Sequence, residues 1–182
     1  MSLILFIFIG LFGAFFITFL KSSLINLFGE NNILLFKLKN AGWFQNYWLA
    51  GIFLFFINAT LFFSTALLLY AMTYFIIPYV HLLIMTLAVI GSIFLWIIIN
   101  KAWQGTRKNR LKMGAVGSSF YMILSLMLIY LLVTLEPLYP GEDTFMRAIG
   151  LVMGIVVTTV AFISCLIFTG FSNKKEVNEA RF

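Results

Sequence analysis

The sequence predicts an all-α fold of the membrane class: a polytopic transmembrane helix bundle of about five spans, N-terminus outside and C-terminus cytoplasmic. Three observations carry that expectation. Hydrophobic residues make up 63% of the 182 and charged residues only 10%, against about 45–50% and about 25% in a soluble domain. No Asp, Glu, Lys or Arg occurs between Lys39 and Lys101, a stretch long enough for two crossings of about 20 residues and a turn. Basic residues instead gather in short segments between apolar runs, where cytoplasmic loops collect them. A water-soluble chain of this size would leave much of its apolar surface wet. A bilayer removes that cost by acting as the apolar solvent.

The whole chain, 1–182, reads as a single membrane domain with spans at about 3–20, 49–74, 79–100, 113–135 and 148–168. Each is long enough at 1.5 Å per residue to cross a hydrocarbon core of roughly 30 Å, some with tilt. Strand alternation is too sparse for a barrel, so the spans must be helical to satisfy their backbone in lipid. The stretch 3–20 lacks a basic n-region and an A-x-A-like cleavage site, and Lys21 follows it. It reads as a retained helix rather than a signal peptide.

Segment 22–46 is neither clearly a span nor clearly polar. Gly29-Glu30-Asn31-Asn32 reads as a stop or turn. Beyond it, Ile33, Leu34, Phe36 and Leu38 interleave with Lys37 and Lys39. This predicts an interfacial amphipathic helix on the inner face, apolar groups down and lysines up, with a re-entrant or a disordered loop as alternatives. Pro78 separates spans two and three. Pro137, Pro140 and Gly141 turn the chain between spans four and five, beside Glu136, Glu142 and Asp143. Residues 171–182 form the predicted cytoplasmic tail.

Orientation follows from counting basic residues. Eleven of the twelve Lys and Arg fall on one side under this topology, and only Arg147 on the other. The positive-inside rule then places that side in the cytoplasm. Trp43, Tyr47, Trp48, Trp96 and Trp103 are expected as inner headgroup anchors, and Tyr70, Tyr74, Tyr79 and Tyr139 as outer ones.

The net charge of +6 is accounted for by orientation and anionic headgroups, not by nucleic acid. Lys101, Arg107, Lys108, Arg110 and Lys112 form the densest basic cluster, a predicted contact for anionic lipid or a cytoplasmic partner. The single Gly105 there cannot form a phosphate cradle. Cys165 stands alone in an apolar run and reads as a small packing residue. No metal or cofactor site and no catalytic group is predicted. No acid or base lies near a span midplane, which disfavours proton-coupled transport, intramembrane proteolysis and voltage sensing.

Two kinds of candidate site remain. Small residues four apart, which let helix backbones approach closely, occur as Gly10 with Ala14, Ala88 with Ser92, and Gly150 with Gly154. Gly114 and Gly117 open span four. Asn58, Thr65 and His81 are the candidate polar set for a solute path or for interhelix contacts. These features favour a non-enzymatic protein of a cell membrane, of bacterial plasma-membrane type, acting through membrane-protein contacts or as a homo-oligomer. An accessory subunit or an immunity-type protein fits that description. The alternative is a small transporter, or a substrate-binding membrane subunit, for a neutral or hydrophobic solute.

Overall fold

The computed structural model describes residues 33–75, 79–137 and 143–171, and in them the fold is all-helical. A short helix α1 (Ile33–Asn40) and a 3-10 turn (Gly42–Gln45) lead into four long helices. These are α2 (Tyr47–Met72), α3 (Val80–Ala102), α4 (Arg107–Val133) and α5 (Phe145–Gly170). Among the described residues all four are long and apolar enough to cross a membrane. The chain is therefore a polytopic membrane protein. The stretch 3–20, with Gly10 and Ala14, lies outside the described residues, as do Tyr139, Glu142 and the tail from 172.

The helices begin and end where their sequences allow. Asn46 caps α2, its side chain accepting from the Trp48 N–H, and Thr106 caps α4 by accepting from the Asn109 N–H. Such caps satisfy N–H groups that lack an intrahelical partner. With its cap at Thr106, α4 starts well before the predicted span boundary at 113. The reason is that Arg107, Lys108, Arg110 and Lys112 are good helix formers whose charges stop at the membrane surface while the helix does not. Before α3 the backbone reverses through Tyr79, whose φ of 68° lies in the left-handed region.

The bundle has a basic end and an acidic end. Lys37, Lys39, Lys101 and the basic residues of early α4 surround the first, while Glu136, Asp143 and Arg147 sit at the other. From the basic end α4 and α5 run side by side: Gly114 faces Thr169 and Gly170, Ser125 meets Thr159, and Gly154 faces Leu128. The other flank of α4 takes α2, with Phe120 set edge-on among Phe55, Phe62 and Phe63.

Helix α3 is held differently. Its stretch from Trp96 to Asn100, with Ala102 and Trp103, is buried, while Leu82, Leu83, Met85, Leu87, Val89 and Ile90 are all exposed. Residues 33–46 lie at the basic end, with Leu35 and Phe44 buried in the core. Ile33, Leu34 and Phe36 are exposed, as are Lys37 and Lys39. The short helix turns Leu35 to the bundle, with half-buried Leu38 packed against the same core.

Candidate functional site

The best-defined polar constellation inside the bundle centres on Asn58. Gly51, Leu54 and Asn58 fall on one stripe of α2, three and seven residues apart. That stripe faces α4 so closely that a Cβ on Gly51 would stand 2.8 Å from the Val116 Cβ, and one on Gly117 would stand 2.3 Å from Leu54. Bare glycine backbone at 117 thus lets Leu54 seat fully. One turn on, the Asn58 amide reaches the Gly117 carbonyl.

Asn58 is 0% exposed and its carboxamide is used on both sides. Its Nδ2 donates to the Gly117 carbonyl at 3.0 Å and to Cys165 Sγ at 3.5 Å. Its Oδ1 accepts from the Trp96 indole N–H at 2.9 Å. Because an indole N–H can only donate, it fixes which way the amide faces. One side chain of α2 is thereby tied to α3, α4 and α5 at once. Leaving such a group unpaired in an apolar interior would cost on the order of 1–3 kcal/mol.

Two further junctions lie toward the basic end. Asn100 Nδ2 donates to the carbonyls of Phe168 (2.6 Å), Thr169 (3.2 Å) and Phe171 (3.1 Å). These belong to the last turn of α5 and the residue after it, where carbonyls run out of intrahelical donors. Gln45 Nε2 donates to the carbonyls of Lys39 and Ala102, and its Oε1 accepts from the Gln104 N–H at 3.0 Å. Arg110 Nη2 donates to the Trp103 carbonyl at 3.1 Å. The connection from α3 to α4 is thus clamped from both sides.

The tryptophans expected as headgroup anchors at the end of α3 are core residues instead. Trp96 is 4% exposed and Trp103 is 2% exposed. Trp96 packs against Tyr121 and Phe168, and Trp103 against Phe44. Terminal position suggested an interface, but the crossing of α3 over the bundle turns both rings inward. Trp43 and Trp48 do remain exposed, and Tyr47 lies under Lys112, whose Nζ is 5.3 Å from the ring centroid.

The polar set Asn58, Thr65 and His81 is not brought together. Thr65 spends its hydroxyl on the Leu61 carbonyl of its own helix, and Thr60 does the same with Phe56. His81 is exposed at the acidic end of α3. A cleft at that end is lined by Thr134, Glu136, Arg147 and Gly150 with neighbouring leucines, and His81 is not on its wall. Arg147 Nη1 there donates to the Glu136 carbonyl at 3.3 Å.

The small-residue positions also differ among themselves. Gly114, Gly117 and Gly154 face close neighbours, whereas a Cβ on Gly150 would meet nothing within 4 Å. Ala88 and Ser92 are half-buried, and the Ser92 hydroxyl bonds back to the Ala88 carbonyl. At the start of α4, Arg107, Lys108 and Lys112 are exposed, while Lys101 and Arg110 are half-buried. Among the described residues no group of three His, Cys, Asp or Glu is placed to hold a metal ion. Comparison with protein-family models, curated proteins and solved structures gives no match to this chain.

Proposed function

We propose that this protein is non-enzymatic and acts through contacts with other membrane proteins, as an accessory or immunity-type subunit of a bacterial plasma membrane. The observation that carries this reading is the Asn58 junction. This fully buried polar side chain commits its amide hydrogens to Gly117 and Cys165 and its carbonyl oxygen to the Trp96 indole, so its hydrogen bonds serve the packing of the helices. Thr60 and Thr65 are likewise committed to their own helix. A transporter reading, with Asn58, Thr65 and His81 as its site, gains no support from an arrangement that separates the three.

The basic end supplies the contact surface in this proposal and faces the cytoplasm by the positive-inside rule. No acidic residue lies in the first turn of α4, and its basic residues oppose the helix dipole, each at about 0.3–1 kcal/mol. They are arranged for an anionic surrounding and not for the helix itself. Lipid headgroups, with the exposed Trp43 and Trp48 at the same level, meet that need at about 1 kcal/mol per basic residue.

Purification from native membranes in mild detergent tests the proposal. A membrane protein recovered in stoichiometric amount, and lost when Arg107, Lys108 and Lys112 are changed together to Gln, is the expected result. Solute flux or lipid turnover by the purified chain alone in liposomes would overturn it.

A further inference from the structure

We infer that the cleft between the acidic ends of α4 and α5 is a lipid site, selective for a zwitterionic phospholipid whose headgroup carries a primary ammonium. The cleft holds about 670 Å³, within the range of about 300–1,000 Å³ usual for a small-molecule site. Its polar groups stand at the mouth. Glu136 lies past the end of α4 and Arg147 in the first turn of α5, and both are exposed. Arg147 Nη1 donates to the Glu136 carbonyl at 3.3 Å, which brings the guanidinium and the acidic residue to one rim. Below them the walls are apolar. Leu131 belongs to α4, and Gly150 and Leu151 stand about 5 Å deeper along α5 than Arg147. A headgroup at the mouth with its acyl chain running inward follows that gradient.

Charge at the mouth selects the headgroup. Arg147 is the only Lys or Arg between Lys112 and Lys174, and a guanidinium takes a phosphate through paired N–H donors. An anionic headgroup would also meet the Glu136 carboxylate, with Asp143 at the start of α5 adding a second negative charge. A headgroup that carries both charges suits both residues: its phosphate lies on Arg147 and its ammonium donates to Glu136. A quaternary ammonium has no N–H to donate, so the carboxylate tells the two kinds of amine headgroup apart. Thr134 adds little to the selection, because its hydroxyl bonds to the Tyr130 carbonyl. Gly150 supplies the depth. Glycine is a poor helix former, and Gly114, Gly117 and Gly154 each have close neighbours, whereas a Cβ on Gly150 would meet nothing within 4 Å. The bare backbone there leaves room for a glycerol or acyl group beneath Arg147. The partner contacts proposed above lie at the opposite end of the bundle, so the two readings stand or fall separately.

Lipid retention by the full-length protein tests this site. Nanodiscs are made with equal amounts of phosphatidylethanolamine, phosphatidylcholine and phosphatidylglycerol on the same acyl chains. Lipid held by the released protein is then counted by native mass spectrometry. The expected result is about tenfold more ethanolamine than choline lipid on the unaltered protein. Glu136→Gln should bring the two level. Arg147→Gln and Gly150→Leu, the second filling the cleft, should each lower ethanolamine lipid to the choline level and leave phosphatidylglycerol unchanged. Sizing chromatography and thermal denaturation check folding, and Glu136→Gln, an exposed isosteric change, keeps the test decisive if Gly150→Leu is unstable. Equal retention of ethanolamine and choline lipid by the unaltered protein would overturn the proposal. So would ethanolamine retention that survives Gly150→Leu in folded protein, or a loss confined to phosphatidylglycerol, which would make the cleft an anionic-lipid site. A dimer dissociated by Gly150→Leu would give the cleft to a second copy, with the same consequence.

Discussion

The basic half of the bundle and the acidic half are built from similar sequence and held in different ways. In the basic half, Asn58, Asn100 and Gln45 each bond across helices, and glycines at 51, 114 and 117 bring backbones into contact. In the acidic half, hydroxyls turn back on their own helix at Thr60, Thr65, Thr86 and Thr134, and the links between α4 and α5 are a hydroxyl pair, Ser125 with Thr159, and a side chain, Leu128, over Gly154. There Gly150 and Gly91 stand open. Hydrophobicity does not distinguish the halves, since lipid solvates leucine as well as another helix does. What distinguishes them is backbone packed close against the neighbouring helix at Gly51, Gly114 and Gly117, together with side-chain amides bonded across helices.

Four substitutions probe that contrast, each read by thermal denaturation in detergent. Gly117→Leu should be the most damaging, on the order of 3 kcal/mol, because Leu54 already fills the space and is fully buried. A stable Gly117→Leu protein would mean that α2 and α4 are not in contact there. Next, Asn58→Ala should cost about 2 kcal/mol by stranding the Trp96 N–H. Adding Trp96→Phe should recover part of that loss; fully additive effects would deny the bond between them. Asn100→Ala should cost about 1 kcal/mol and loosen the end of α5, visible as faster proteolysis after Phe171. The smallest change belongs to Gly150→Ala, expected within about 0.5 kcal/mol of neutral or slightly stabilising, as alanine is the better helix former. A large loss at Gly150 would show that the acidic half is as tightly packed as the basic one.

Much of this fold is legible in the sequence, because a bilayer imposes a coarse rule on every residue of a span. Uncharged runs locate α2, α3 and the later helices to within a few residues. Helix α4 begins at Arg107, ahead of the apolar run from 113, and hydropathy registers the charges of Arg107 to Lys112 but not the backbone that continues through them. The junctions are far less legible. Asn58 and Thr65, seven apart, share a face by helical period, yet Asn58 bonds to other helices while the Thr65 hydroxyl bonds within its own. Two of the three Asn58 partners are a backbone carbonyl and a thiol, which carry no pattern that a linear reading can match to it. Trp96 misleads for a related reason. Its place near the end of a span suggests an interfacial ring, and only the crossing of α3 against α2 and α5 turns it inward.

The Asn58 junction also has a consequence for the order in which the protein is made. Its four contributors, Asn58, Trp96, Gly117 and Cys165, emerge from the ribosome in that sequence, one per helix. When α2 and α3 have entered the membrane, the indole can already satisfy the carbonyl side of the asparagine, while its amide side still lacks Gly117 and Cys165. A chain interrupted after α3 therefore carries a half-satisfied carboxamide into lipid, and a finished chain does not. The carboxamide of Asn58 is thus fully paired only in a chain that has all four helices in place.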